Sequence, residues 1–253
     1  MTEVVALCGF AFLAGLVDAV AGGGGLVQVP ALFAVFPGLP PPILLGTNKF
    51  SAITGTTIAT LRYGWSVPIR WRAVLPAAGI AGIGALAGAK AVTLMDPVVL
   101  RPLLVVLLCG MTVYTLTHPK LGENADFAPI KQGGPRFFAL SAVFGFYDGF
   151  FGPGAGSVMM FALVRWFGYD FLRAAATTKV LNLTTNFGAL VLFMLTANVL
   201  YAVALPMAAF NIAGGFLGAH LAVRRGSRFI RTVFLVVVVA LIVKVFVDVV
   251  KSL

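Results

Sequence analysis

Two lysines sit inside apolar segments of this chain, in matching surroundings. Lys49 follows Thr47 and Asn48, and Lys179 follows Thr177 and Thr178. An ionisable side chain at membrane depth is rare and tied to function or to a partner, and an ammonium among small polar groups suits an anion. Lys179, Asn182 and Asn186 share one helical face at i, i+3 and i+7, whereas the corresponding face around Lys49 carries Ala52 and Thr56. Asp18 and Asp148 precede the two lysines by 31 residues each. They could pair with the lysines, bond to a turn's backbone or carry a coupling proton. The constant spacing favours an ion pair within each copy, and burying a paired carboxylate does not make it a proton carrier.

Four residues after each aspartate comes a glycine-rich tip, Gly22-Gly23-Gly24-Gly25 in one case and Gly152-Pro153-Gly154-Ala155-Gly156-Ser157 in the other. Each tip immediately precedes a short apolar run, so backbone N–H groups and the positive end of a helix dipole converge there. That arrangement holds an anion without any charged side chain. The plainer reading is that glycine permits a tight turn, and that the lysines snorkel to the interface. The candidate substrate-binding set is Gly22, Gly23, Gly24, Gly25, Asn48, Lys49, Gly152, Gly154, Gly156, Ser157, Thr178, Lys179 and Asn182. Asp18 and Asp148 form the ion-pairing or coupling set.

These residues recur because the chain is duplicated. Shifted by 130 residues, it matches itself without gaps from about residue 15 to about residue 106. The shift aligns Asp18 with Asp148, Lys49 with Lys179, Pro76 with Pro206 and Arg101 with Arg231. Charged residues are only 10% of the chain, so their coincidence at one offset is not easily accidental. The single domain spans 1–253, with one repeat at about 1–117, a polar linker at 118–135 and the second repeat at about 136–253.

Each repeat resolves into five helical elements. In the first they lie near 4–21, 26–36, 43–63, 71–94 and 97–117; in the second, near 137–151, 157–167, 171–196, 200–223 and 228–250. Asp96-Pro97 and Ser227 mark the fifth helices, as N-cap residues do. The second elements rise only ~16 Å, too little for an ~30 Å hydrocarbon core. They read as half-helices of hairpins whose tips lie within the membrane, where irregular backbone is tolerated only inside protein or along a cavity. In the fourth elements, Gly84-x-x-x-Gly88 and Gly214-x-x-x-Gly218 let helices pack closely, while Pro76 and Pro206 bend them.

Composition sets the class. Hydrophobic residues make up 60% of the 253 positions and mean hydropathy is +1.02, which excludes a soluble globular domain. The net charge of +10 does not point to nucleic acid, because the arginines fall in short loops between apolar segments. There they orient helices against the cytoplasmic face. Arg62, Arg70 and Arg72 crowd one loop of the first repeat, and its counterpart at 196–201 carries no charge. Arg224, Arg225, Arg228 and Arg231 crowd the opposite loop of the second repeat. The repeats therefore cross the membrane in opposite senses, with both termini outside and the linker inside. Such inverted repeats are the plan of many secondary transporters. The apolar N-terminus lacks the positive leader of a signal peptide and has a mid-chain copy, so it belongs to the fold.

Cys8 and Cys109 have no neighbours at metal-ligand spacing, so neither metal nor cofactor is expected. His118 and His220 make no convincing base for Ser157, which argues against a membrane protease and against any enzyme.

The runs Gly15-Leu16-Val17-Asp18-Ala19-Val20-Ala21 through Gly25 and Gly46-Thr47-Asn48-Lys49 resemble the sulfite exporter family TauE/SafE, also called toluenesulfonate uptake permeases. So do Gly149-Phe150-Phe151 through Ser157 and Ala176-Thr177-Thr178-Lys179. The resemblance covers essentially the whole chain. It implies an all-α, multi-pass transporter of the cytoplasmic membrane, surrounded by lipid. Its cargo would be small sulfur-containing anions such as sulfite, sulfonates or sulfoacetate, often exported. The residues and the resemblance agree on an anion held at the midplane between two hairpin tips, with alternating access. A channel with the same central site is the alternative. The anion, the direction, any coupling proton and the oligomeric state stay open.

Overall fold

A computed structural model describes residues 2–96, 98–100, 103, 106 and 133–252, with side chains up to residue 233. Eight helices are named here: α1 (Thr2–Ala21), α2 (Gly25–Val35), α3 (Pro41–Ser66), α4 (Trp71–Leu94), α5 (Pro135–Phe150), α6 (Ala155–Phe167), α7 (Phe171–Leu195) and α8 (Tyr201–Ser252). No strand occurs among the described residues. The fold class is all-α, as composition and periodicity require.

The boundaries follow local chemistry. Pro41 opens α3 and Pro135 opens α5, where a missing N–H is harmless. Asp170 caps α7 by accepting from the Arg173 amide at 3.0 Å. Gly168, at φ +66°, ends α6 in the left-handed conformation that glycine adopts freely. The second elements are the short helices expected, with α2 of 11 residues and α6 of 13. By length and composition α1, α4, α7 and the first part of α8, Tyr201–Val233, can each cross a membrane. The chain is therefore a multi-pass membrane protein. Helix α3 has the length, at 26 residues, but its buried Thr47, Asn48, Lys49, Ser51, Thr56 and Thr60 make it more polar.

The fifth elements fare differently. In the second repeat the helix runs on from α8 through a kink at Gly226, φ +70° and ψ −168°, next to the expected start. Ser227 is committed elsewhere: its hydroxyl accepts from the Leu172 amide and donates to Asp170, at 3.0 Å each. In the first repeat Asp96 accepts from the Val98 amide at 2.8 Å, as an N-cap does. Most of 97–117 lies outside the described residues, as does nearly all of the linker at 118–135.

Packing joins the repeats rather than separating them. Helix α1 lies along α8, and α5 along α4. Glycines make both contacts. Gly214 and Gly218 face the α1 backbone at Phe12 and Leu16, while Gly84 and Gly88 face the α5 backbone at Ala142 and Phe146. The small-residue pairs seen in the sequence thus join each fourth helix to the first helix of the other repeat.

Candidate functional site

Two hairpins, α1–α2 and α5–α6, approach from opposite ends of the helix bundle. Leu7 of α1 and Leu32 of α2 share a core with Leu44 of α3 and Val203 of α8, at one end. Phe137 of α5 and Leu163 of α6 share another with Tyr63 of α3 and Val74 of α4, at the other end. The tips meet. The Ser157 amide donates to the Gly22 carbonyl at 3.1 Å, and the Ser157 hydroxyl donates to the Ala21 carbonyl at 2.8 Å. A Cβ on Gly25 would lie 3.0 Å from Pro153 Cα. Gly22 and Gly152, equivalent in the two repeats, turn at φ +77° and +90°, where any other residue is strained. The tips then diverge: Gly24 is right-handed at φ −56° and Gly154 left-handed at φ +77°.

A small cavity lies at this joint, lined by Gly22, Gly24, Gly25, Gly152 and Gly156 together with Asp18, Asn48, Lys49, Asp148 and Asn182. It has about 30 Å³ for the centres of water molecules, room for roughly two waters. Of the sequence candidates, Gly23, Gly154, Thr178, Lys179 and Ser157 are not on its wall. Ser157 is committed to the tip-to-tip joint, and Lys179 stands behind Asp18.

The lysines pair across the repeats, contrary to the expectation of a pair within each copy. Lys49 Nζ lies 2.9 Å from Asp148 Oδ1, and Lys179 Nζ lies 2.7 Å from Asp18 Oδ2. Equal spacing in two symmetric copies is met equally well by reciprocal exchange, so sequence distance alone does not choose the partner. Threonines complete each carboxylate: Thr185 donates to Asp148, and Thr56 to Asp18 at 3.4 Å. Lys49 also donates to Asn186 Oδ1 at 3.0 Å, leaving one of its three donors for another acceptor.

Two wall residues escaped the sequence reading. Gln28 of α2 and Asn211 of α8 are 1% and 3% exposed, and Asn211 donates to Gln28 Oε1 at 3.2 Å. Their equivalents in the other repeat are Val158 and Ala81, so a search for recurring residues passes over them. A lone amide in an apolar helix was the available signal. Gln28 Nε2, Asn48 Oδ1 and Asn182 Oδ1 are buried without a hydrogen-bond partner. Buried amides are nearly always satisfied, so these three are fit to receive a ligand or water.

Comparison with known proteins identifies the family. The family described as Sulfite exporter TauE/SafE matches residues 7–245. A probable membrane transporter protein ORF9 from Sinorhizobium sp is 35% identical over 240 residues, covering 94% of this chain and 90% of that one. A probable membrane transporter protein from Haemophilus influenzae is 36% identical over 222 residues, 87% and 85% of the two chains. The probable membrane transporter protein YfcA from Escherichia coli is 35% identical over 243 residues, 94% and 87%. No solved structure matches. The family match and these relatives make the chain a membrane transporter rather than an enzyme. The chain belongs to the TauE/SafE family.

Proposed function

We propose that the chain is a secondary transporter of the cytoplasmic membrane, carrying small sulfur-containing anions such as sulfite, sulfonates or sulfoacetate. The observation that carries this reading is the cavity where the tips of two opposed hairpins meet. Glycine backbone, Lys49 and the unpartnered donor Gln28 Nε2 face one small space there. Opposed hairpins and reciprocal packing also support reading the repeats as inverted copies, the architecture that places a substrate at the midplane. Sulfite has a sulfur and three oxygens, more than a space for roughly two waters can hold. The tips must part to admit it, and alternating access is that parting towards one side and then the other.

The test is a binding screen on purified protein with sulfite, thiosulfate, taurine, sulfoacetate and simple carboxylates, followed by flux into proteoliposomes. A true ligand at a hundredfold excess over its Kd stabilises the protein by about 2.7 kcal/mol. Saturable flux accelerated by substrate on the opposite side indicates a transporter, and unsaturable conduction a channel. Failure of every sulfur anion to stabilise the protein or to move would overturn the proposal.

A further inference from the structure

We infer that the central cavity selects singly charged oxyanions over doubly charged ones. The inference rests on the anion-binding reading above and narrows it to one charge class.

Formal charge at the site cancels among the described residues. Lys49 is matched by Asp148 at 2.9 Å and Lys179 by Asp18 at 2.7 Å, and the other polar side chains on the wall are neutral amides. What remains is backbone. Helices α2 and α6 both begin at the tips, and each N-terminus acts as roughly half a positive charge. Two together offer about one.

The C-termini of α1 and α5 end at the same tips and would oppose this with their carbonyls. Most of those on α1 are occupied, and on α5 the Tyr147 carbonyl is. Ala19 O accepts from the Tyr63 hydroxyl at 2.9 Å, and Ala21 O and Gly22 O accept from Ser157. Asp18 O accepts from the Gly22 amide, and Tyr147 O from the amides of Phe151 and Gly152. The amides of Gly24, Gly25 and Gly156 have no such backbone partner outside their helices, and all three residues line the cavity.

Independent of the helix ends, the buried and unpartnered donor Gln28 Nε2 points to an anionic ligand, with two unpartnered amide oxygens beside it. Gln28, Asn48 and Asn182 are 1%, 5% and 5% exposed, all line the cavity, and each has an atom without a partner. None of these amides adds formal charge: Gln28 Nε2 can donate to an oxyanion, whereas Asn48 Oδ1 and Asn182 Oδ1 are acceptors that suit a water or a protonated oxygen. One negative charge is therefore balanced at this site, and a second would sit uncompensated where charges interact far more strongly than in water.

The experiment compares methanesulfonate with sulfate, similar in size and differing by one charge. Binding of their sodium salts at fixed ionic strength is measured by calorimetry and thermal stabilisation on the full chain. Methanesulfonate is expected to bind tighter by on the order of tenfold or more. Asp148→Asn frees the Lys49 charge and should move the ratio towards sulfate by a similar factor. Asp18→Asn, at a more accessible carboxylate, gives the same readout should Asp148→Asn not fold. Equal or tighter binding of sulfate by the unaltered protein overturns the inference and leaves the anion site standing. Binding of neither anion, nor of any other in the earlier screen, overturns both.

Discussion

Lys49 and Lys179 each find their carboxylate in the other repeat, which makes the two pairs ties between halves. Removing one partner of a buried pair strands the other charge and costs about 3–5 kcal/mol. Lys49→Met should therefore destabilise the protein by that order. Asp148→Asn added to it should recover most of the loss, and Asp18→Asn should not. Denaturant unfolding of the three variants in detergent decides the matter, and rescue by Asp18→Asn would reject the pairing seen here. The placement of both lysines and both aspartates inside apolar helices was legible in the sequence, where rare charged residues recur at one offset. Their partnership was not, since a twofold repeat is blind to exchange between its copies. Gln28 and Asn211 were hidden for the opposite reason: they break the repeat, which had served as the guide to function.

At the level of helices, glycine does two different jobs within α4. A Cβ on Gly84 would lie 2.8 Å from the Ala142 carbonyl and 3.0 Å from the Phe146 amide, whereas Gly79 has nothing within 4 Å. Gly84→Ala should destabilise by about 1–3 kcal/mol through overpacking. Gly79→Ala should be neutral or stabilise by up to about 1 kcal/mol through helix propensity. Equal thermal shifts for the two would show that α4 and α5 do not pack as closely as described. Helix lengths and breaks were readable to within a few residues, because glycine and proline punctuate them and apolar runs fill the rest. Which helix would lie against which was not readable. Small-x-x-x-small spacing announces a close contact without naming its partner, and here the partner lies in the other repeat.

At the scale of the whole molecule, the arginines among the described residues gather at one end, away from Lys90 and Asp96. Arg62, Arg70 and Arg72 at the α3–α4 turn share an end with Arg173 and Arg228. The contacts that establish this are the Leu172 amide donating to Ser227 and the core shared by Val67 and Val74 with Tyr169 and Phe171. At the opposite end the Leu200 amide donates to Thr47, and the α7–α8 turn at 196–200 carries no charge. Positive residues stay in the cytoplasm, so the arginine end should face inward. In a background lacking Cys8 and Cys109, Thr196→Cys should react with an impermeant thiol reagent in intact cells. Ser66→Cys, also exposed, should react only after permeabilisation. The reverse pattern would turn the whole orientation over. The expected sense of each repeat rests on loop arginines alone, a signal that needs no knowledge of packing, and the labelling tests it.

The interlocking of first and fourth helices across repeats bears on how the chain is made. A ribosome delivers residues 1–100 to the bilayer long before Tyr201 exists, so the glycine-facing stripe of α1 waits for α8 during much of synthesis. Until then Asp18 has no Lys179 and the first hairpin has no opposing tip. The early half must persist in lipid as an unfinished intermediate, exposed to quality-control proteases, and maturation is completed from the C-terminal side. Two separately encoded halves made in the same cell would face the same wait, and each should survive only where the other is present.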